Sequence, residues 1–456
     1  MRILKIRKQR LDKINYYEMA VNPPFISHKI KIKKMSTIKR LKIPKIEALE
    51  LENVTTNISG EIYEIKSIKI GSVLDNGSAN DGSTNNGKKI KLQEGILYGK
   101  NYTFEVTEYV GKRTTELTSI KWEIFYNDFD TGEIVNLPIN ARGERITINM
   151  GNLESCGRYL YIRAYIKDKK NTAVLKVWKH NRFRWFDQVL FESELADRIQ
   201  PWKINQSGTS LCGMACLFYL FAKENPSEYR NFCRDLFRKG EAKYNNYIVK
   251  PSKELLEKKV NKLGLPEKTG NMPITDYITL AGLRNTNNSS YKGGDENIQA
   301  INWPDTMIEL SREFLGYADI EENGSERFIK RINHNQGDIT NIINDINKQI
   351  ADGYHVILMV DSDLINDDLD FQSFDYHWIV LESAINGEFE VLNQNGQLEY
   401  LVDFLAYSWG TNPFDRRDIV KDKNGQNISN QDKGFLKKPI TRKHFINNYY
   451  GYIKVK

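Results

Sequence analysis

Alternating apolar and polar positions dominate residues 54–185. The alternation is clearest in the segments GEIYEIKSIKI, ILYGKNYTFEVTEYV, SIKWEIFYN, ERITINM, GRYLYIRAYI and AVLKVWKH. A period of two is typical of half-buried strands, and turn sequences such as NDFDTGE and INARGE separate the segments. About six or seven short strands in sequence predict an antiparallel β-sandwich. The Gly/Asn/Ser-rich run LDNGSANDGSTNNGKK at 74–89 predicts a loop within it.

The pattern becomes helical after this region. Residues 186–201 predict an amphipathic linker to the next domain. Helices are then indicated by CGMACLFYLFAKEN, which ends at Pro226, and by EYRNFCRDLFRK, SKELLEKKVNKLG and DITNIINDINKQIADG. The polar segment LRNTNNSSYKGGDEN at 283–297 interrupts these helices and predicts an exposed loop.

Strands dominate the end of the chain. YHVILMVDS, HWIVLESA and GEFEVLNQ each predict one, and the Asn386-Gly387 pair predicts a tight hairpin between the last two. A short helix and a final strand follow in KHFINNYYGYIKVK. Helices first and an antiparallel sheet second indicate an α+β domain. The predicted organisation is a basic arm (1–53), a β-sandwich adaptor (54–185), a linker (186–201) and an α+β domain (202–456).

Charge is concentrated at the amino-terminal end. Met1 to Glu50 contain fourteen Lys/Arg and four Asp/Glu, a net charge of +10. The whole chain has a net charge of +7, so the remaining residues are slightly acidic at −3 (7 − 10). Such an arm could contact nucleic acid, anionic lipid or an acidic protein surface. The absence of interleaved aromatic residues and of a nucleic-acid-binding motif favours a solvated or docking arm over a nucleic-acid partner.

The composition is that of a globular protein, with 40% hydrophobic and 27% charged residues. No apolar run approaches the length of a transmembrane helix, and the start of the chain lacks the apolar core of a Sec signal peptide. The four cysteines, Cys156, Cys212, Cys216 and Cys233, are too few for a disulfide scaffold and lack zinc-site spacing. No metal or organic cofactor is expected.

The segment NQSGTSLCGMACLFYLF contains the strongest candidate chemistry. Cys212 stands where an apolar helix begins, after a Gly/Ser/Thr loop, and a helix amino terminus favours the thiolate that a nucleophilic cysteine needs. The backbone N–H of Cys212 would face a developing oxyanion, and Gln206, six residues earlier, is a candidate for the second donor.

The predicted base is His377, which opens the strand HWIVLESA after a polar loop. A third residue should orient its imidazole. Asn393, at the end of the next predicted strand, would come within reach across the expected hairpin. Gln394 and Asn395 remain alternatives to it.

These residues resemble the papain-like cysteine peptidase pattern, in which a Gln precedes a Cys-Gly at a helix start and a His and an Asn follow on later strands. The HWIVL strand is similar to the branch that includes bacteriocin-processing peptidases. The resemblance implies an oxyanion role for Gln206, a nucleophile at Cys212, a base at His377 and an orienting role for Asn393. It departs from the family in the Gly213 to Cys216 context and in lacking a Trp directly after the Asn. The β-rich region weakly resembles immunoglobulin-like or PKD-like modules, with Trp122 as a core strand residue.

The resulting hypothesis is a cysteine hydrolase that cleaves amide bonds in proteins or in peptidoglycan peptides. A basic arm, an adaptor and a hydrolase also resemble bacterial polymorphic toxins. This analogy implies an antibacterial effector exported without a Sec signal, for example by type VI secretion. Its expected partners are an immunity protein and a component of the secretion apparatus that contacts the amino-terminal region. The alternatives are a transglutaminase or deamidase with a similar triad, a catalytically inactive binding protein, and a nucleic-acid binder that uses the basic arm.

Overall fold

The computed structural model describes a mixed α+β protein with several antiparallel sheets. The described residues belong to one compact unit, Glu61–Lys456. They are 63–78, 92–111, 113, 116–128, 131–167, 169, 172–259, 272–294, 297–323, 336–365, 376–392, 396, 398–408, 410, 412–414 and 440–456. The predicted basic arm at 1–53 lies outside them.

The first region consists of antiparallel strands, as the alternation predicts. They are β1 (Tyr63–Ile70), β2 (Asp75–Ser78), β3 (Leu92–Gly95), β4 (Asn101–Gly111), β5 (Lys121–Asn127), β6 (Ile134–Leu137), β7 (Arg145–Asn149), β8 (Arg158–Tyr165) and β9 (Val174–Lys179). One sheet has the order β1-β4-β7, a second has the order β6-β5-β8-β9, and β2 pairs with β3. All six segments singled out in the sequence contain a strand. The start of the predicted loop at 74–89 is strand β2.

The two larger sheets enclose one hydrophobic cluster. Phe104 comes from one sheet, and Trp122 and Ile162 come from the other. The inward residues of β5 and β8 alternate with more exposed ones, which explains the period of two in the sequence. The indole Nε1 of Trp122 donates to the carbonyl of Gly143 at 2.7 Å, so this buried aromatic ring also satisfies its polar atom.

Helices dominate the next part of the chain. They are α1 (Gln188–Asp197), α2 (Cys212–Glu224), α3 (Pro226–Lys239), α4 (Lys253–Leu256), α5 (Ile274–Asp276), α6 (Gly282–Asn287), α7 (Asn297–Ala300), α8 (Pro304–Glu313) and α9 (Gln336–Ala351). A π-helical turn, Tyr277–Ala281, joins α5 to α6. A small hairpin follows α3, with strands β10 (Ala242–Tyr244) and β11 (Tyr247–Val249).

The predicted linker contains a helix, and the predicted exposed loop is partly buried. The linker at 186–201 contains α1, whose Phe191 and Leu195 are fully buried in the same cluster as α2. The predicted exposed loop at 283–297 begins inside α6 and buries Arg284 and Tyr291. Arg284 donates to the carbonyls of Gln299 and Ile301, both at 2.8 Å, so local polarity here reflects buried hydrogen bonding and not solvent exposure.

The β-rich region is joined to the helices by buried hydrogen bonds. Arg238 of α3 donates to the carbonyls of Cys156 at 3.1 Å and Glu154 at 2.7 Å. The backbone N–H of Arg182 donates to the carbonyl of Arg238 at 2.9 Å. A guanidinium held by carbonyls of another region fixes the orientation of that region, since each bond lost would leave a buried polar atom unpaired.

The remaining strands form two sheets. They are β12 (Ile320–Asn323), β13 (His355–Asp361), β14 (Tyr376–Leu381), β15 (Asn386–Leu392), β16 (Leu398–Asp403), β17 (Ala406–Tyr407), β18 (Ile440–Thr441) and β19 (Tyr449–Val455), with α10 (Arg442–Asn447) before the last. The central sheet has the order β12-β19-β13-β14-β17, and the second has the order β15-β16-β18.

The central sheet is buried on both faces. Its α2 face carries Ile357, Met359, Trp378, Val380 and Tyr407, which pack in the cluster that includes helix α2. Its α9 face carries Val356, Leu358, Val360, Ile379 and Leu381, which pack in the cluster that includes helix α9. Adjacent residues of β14 therefore enter different cores.

The predicted hairpin at Asn386-Gly387 is wrong. Both residues lie within β15, which pairs with β16, whereas β14 pairs with β13 and β17. The chain changes sheets at Ile385, whose N–H and carbonyl are bound by the side chain of Asn347 on α9 at 2.7 and 2.8 Å. This tertiary contact overrides the local turn signal.

Candidate functional site

Cys212 is the first residue of α2. Every residue from Cys212 to Ala222 is buried, and Cys212 itself is 5% exposed. No side chain caps the helix at Leu211, and Ser207 in the preceding loop has a left-handed φ of 55°. An uncapped helix amino terminus presents a partial positive charge, which favours a thiolate at this position.

The loop before Cys212 is held by a buried ion pair. Arg198, at the end of α1, donates to both carboxylate oxygens of Asp276 at 3.0 and 2.6 Å. Arg198 and Asp276 have side chains that are 3% and 0% exposed. The backbone N–H of Asn205 donates to the same carboxylate at 2.9 Å. The buried ion pair therefore fixes the backbone at Asn205, where the loop begins.

Gln206 lies in this loop and is buried. Its side-chain Nε2 donates to the carbonyl of Thr209 at 3.0 Å, and the Thr209 hydroxyl donates to the carbonyl of Gln206 at 2.7 Å. These bonds close a small ring that shapes the approach to α2. The side-chain amide of Gln206, which was predicted to bind an oxyanion, thus uses one of its hydrogens for a bond within the loop.

His377 is the second residue of β14 and is buried. It lies opposite Val360 across the pairing of β13 and β14, and directly opposed residues share a face, so its side chain leaves on the α9 face. Its Nε2 is 2.7 Å from the hydroxyl oxygen of Ser408. Burial lowers the pKa of His377 to about 3, so the ring is neutral at pH 7.

Helix α2 and strand β14 run in the same direction. Beyond the end of β14, Glu382 accepts hydrogen bonds from Tyr219 and from Lys223 near the end of α2, each at 2.7 Å. The starts of the two elements, Cys212 and His377, consequently lie at the same end of the central sheet. Because His377 leaves β14 on the α9 face, its pairing with Cys212 stays a prediction.

The predicted orienting residue, Asn393, and its alternatives, Gln394 and Asn395, lie outside the described residues. Ser408 instead bonds the His377 ring. It follows β17, which pairs with β14, and was missed because nothing in LAYSWG marks a serine as the partner of a histidine.

Asn302 was also missed. Its side chain is fully buried, and neither its Nδ2 nor its Oδ1 has a hydrogen-bond partner among the residues that the structure describes. Among the described residues it is the one side chain with two such atoms. A buried polar group without a partner costs about 1–3 kcal/mol of stability, so two such atoms on one side chain call for an explanation.

Asn302 lies against the start of α2. A methyl group on Gly213 would come within 2.7 Å of Asn302 Cβ and 2.9 Å of its Cγ. Glycine at 213 therefore permits the close approach of this amide to the residue after Cys212. The carbonyl of Asn302 accepts the indole N–H of Trp378 at 2.8 Å, which ties it to the α2 face of β14.

The other cysteines are core residues. Cys156, Cys216 and Cys233 are buried and unbridged. Burial raises the pKa of Cys216 well above its usual value and also raises those of Cys156 and Cys233. Each of these thiols is therefore a poor nucleophile at neutral pH.

Across the described ranges, no group of three His, Cys, Asp or Glu side chains is placed to hold a metal ion. Within the same ranges, no helix has the length and apolar character needed to cross a membrane.

Comparisons with known proteins add no relative to this picture. No family model, no curated protein and no solved structure matches the chain.

Proposed function

We propose that residues 202–456 form a papain-like cysteine hydrolase that cleaves amide bonds through a thioester on Cys212, with an immunoglobulin-like adaptor before it. The observation that supports this most is the position of Cys212 as first residue of an uncapped, buried helix. All four cysteines are buried, and what distinguishes Cys212 from the other three is its place at the start of a helix.

In the proposed reaction the sulfur of Cys212 attacks the amide carbon, and the carbonyl π electrons move to oxygen. The intermediate collapses as the C–N bond breaks, and the thiol proton, taken up by a base, passes to the leaving amine. Water then attacks the thioester, releases the carboxylic acid and restores the thiol.

The base in this proposal is His377, with a neutral ring that can accept a proton. Reaching Cys212 requires the start of β14 to turn its side chain from the α9 face toward α2. Asp361 is the alternative on the α2 face, because it lies opposite Tyr376 across the strands, and it accepts a hydrogen bond from Tyr450 at 2.9 Å.

The first experiment measures thiol reactivity. The full chain is treated with iodoacetamide at pH 7.5, and alkylated cysteines are located by peptide mass mapping. We expect alkylation at Cys212, its loss in Cys212→Ala and its retention in Cys216→Ala, the matched control one helical turn away. An unreactive Cys212 in the folded protein would contradict the proposal.

The second experiment identifies substrate and base. Isolated sacculi and a bacterial lysate are incubated with the protein to separate peptidoglycan from protein cleavage. With whichever is cleaved, His377→Gln is expected to lower the rate about 10²–10⁴-fold, because a positioned base contributes that much. His355→Gln, which alters a histidine bound to Glu224, should leave the rate within twofold. Loss on Asp361→Asn without loss on His377→Gln would transfer the role of base to Asp361.

A binding protein without catalysis is the second candidate. It is favoured by the bond between His377 and Ser408 on the face of β14 away from α2. It predicts that Cys212→Ala retains the biological effect of the wild-type protein.

The role of an exported antibacterial effector is proposed from the order of arm, adaptor and hydrolase, and thus from analogy. Expression of the chain in a bacterium should then be toxic, and Cys212→Ala should abolish the toxicity. Co-expression of a neighbouring gene that neutralises it would identify the immunity protein.

A further inference from the structure

We propose that Asn302 supplies the second hydrogen-bond donor for the oxyanion that forms when Cys212 attacks a substrate. This proposal rests on the proposed function and names a catalytic residue that the sequence does not indicate. It joins two observations, the start of α2 at Cys212 and a fully buried amide with both polar atoms unpaired beside it.

The first argument concerns location. The Asn302 side chain fills the space next to Gly213 that any larger residue would occupy, with Cβ and Cγ within 3 Å of where a methyl group would be. The helix amino terminus and the amide of Asn302 therefore lie next to each other. A carbonyl oxygen above the first turn of α2 could accept from the backbone and from Nδ2 together.

The second argument concerns preorganisation. The carbonyl of Asn302 is bound by Trp378, and the carbonyls of Gln299 and Ile301 are bound by the buried guanidinium of Arg284. Three hydrogen bonds therefore hold the backbone at and just before Asn302. A donor held before the substrate arrives needs no reorganisation when negative charge develops.

The third argument concerns Gln206, the residue that the sequence predicts as the second oxyanion donor. Gln206 uses Nε2 to bind the carbonyl of Thr209. Within the part of the chain that the structure describes, nothing accepts from Asn302 Nδ2, so its two hydrogens are not used by the fold. Its Oδ1 can also accept an N–H from the substrate backbone, which favours a secondary amide over an ester.

The neighbouring surface fits an entering peptide. Trp303 is 38% exposed and meets Tyr376 edge to face, with ring centroids 5.9 Å apart. Aromatic side chains at the rim of a buried polar site provide apolar surface for a substrate side chain, and the amide of Asn302 would hydrogen-bond the substrate backbone.

The test compares two reactions of the same sulfur. p-Nitrophenyl acetate acylates a cysteine through a tetrahedral oxyanion, whereas iodoacetamide alkylates it by direct displacement without one. The second-order rate constants of both reactions at Cys212 are measured in the Cys216→Ala background, with mass mapping of the modified residue. Asn302→Leu removes both polar atoms but keeps the number and branching of the heavy atoms, and Asn302→Asp keeps the acceptor but removes the amide hydrogens.

We expect Asn302→Leu to lower the acylation rate about 10²–10³-fold, the usual cost of losing one oxyanion donor, with alkylation unchanged within threefold. The carboxylate of Asn302→Asp disfavours the thiolate and slows both reactions, so for this variant the ratio of the acylation rate to the alkylation rate should fall by the same factor. The melting temperature of Asn302→Leu should not fall, since the amide has no partner to lose. Gln206→Leu is the matched comparison. It should lower the melting temperature and change both rates by similar factors, because its bond shapes the loop.

Other results overturn the inference in distinguishable ways. If acylation and alkylation are both unchanged in Asn302→Leu, Asn302 is no donor although Cys212 remains a nucleophile. If both rates fall together with the melting temperature, the role of Asn302 is structural. If wild-type Cys212 reacts with neither reagent, the proposed function itself fails, and this inference fails with it.

Discussion

The two faces of the central sheet treat polar side chains differently. On the α9 face, His377 is bonded to Ser408, and Asn347 binds both backbone polar atoms of Ile385. On the α2 face, Asn302 presents two unpaired amide atoms beside the helix that starts at Cys212. Other polar groups on the α2 face are paired, as Tyr407 is with the carbonyl of Ile204 at 2.7 Å, so the contrast is confined to Asn302. Under the proposed function, this amide is the hydrogen-bonding group that the α2 face offers to a ligand.

Both faces are equally closed to water, so exposure does not explain the difference. Trp378 is 2% exposed on one face and Ile379 is 0% exposed on the other. A buried group without a partner lowers stability, and such groups are retained in many proteins where substrate binds. Under the proposed function, the unpaired amide of Asn302 favours the α2 face as the side on which substrate binds.

The largest expected effect comes from the ion pair that supports the α2 face. Arg198→Met leaves the fully buried carboxylate of Asp276 without its guanidinium and should lower the free energy of unfolding by about 3–5 kcal/mol. Urea unfolding followed by tryptophan fluorescence measures this. Lys203→Met breaks a solvent-exposed pair with Asp197 and should change the free energy by less than about 0.5 kcal/mol. Similar losses in the two variants would mean that the loop before Cys212 does not depend on Arg198.

An intermediate effect is expected at Gly213. Gly213→Ala would place a methyl group 2.7 Å from Asn302 Cβ and from Met307 Sδ, and such overpacking costs about 1–3 kcal/mol of unfolding free energy. Thermal unfolding measures it. The control is Gly282→Ala, another helical glycine, where the nearest atoms are 3.3 Å away and the gain in helix propensity offsets the strain. A stabilised Gly213→Ala variant would show that Asn302 does not press on the helix start.

The last effect is absent at neutral pH, develops only as the pH falls, and concerns the α9 face. The pKa of His377 is about 3 in the folded protein and about 6.5 in the unfolded chain, so the unfolded state binds the extra proton between these values. The stabilising contribution is complete above pH 6.5 and is lost as the pH falls toward 3, with a slope of up to about 1.4 kcal/mol per pH unit.

Unfolding free energies at pH 7, 6, 5 and 4 in wild type and in His377→Gln isolate this contribution from the carboxylates that titrate in the same range. The wild-type curve should fall more steeply. Parallel curves would mean that the ring is not desolvated, and that His377 does not belong to the α9 core.

The sequence predicts elements well where one periodicity is present. The alternation in SIKWEIFYN gives β5, and the apolar run from Cys212, ended by Pro226, gives α2. Prediction is weakest where a strand is buried on both faces. In HWIVL every position after His377 is apolar, so no alternation shows which face the histidine takes. The register with β13 decides this, through the pairing of His377 with Val360.

The same limit applies to the residues that complete the site. Asn302 lies before a helix in INWPD, where a polar residue has no local sign of burial. Its environment depends on Gly213 and Trp378, which are distant in sequence. Likewise the Asn386-Gly387 signal is sound locally, but Asn347 determines where the chain turns.

The position of β19 sets an order of events. This strand lies between β12 and β13, yet it is synthesised after every other strand of the central sheet. During synthesis, β12 therefore stays separate from the β13-β14-β17 part of the sheet. The core cluster that contains Cys212 is incomplete until Tyr449–Val455 inserts between them. The core cluster that contains Cys212 would therefore be completed in a single late step of folding, after every other strand of the central sheet has been synthesised.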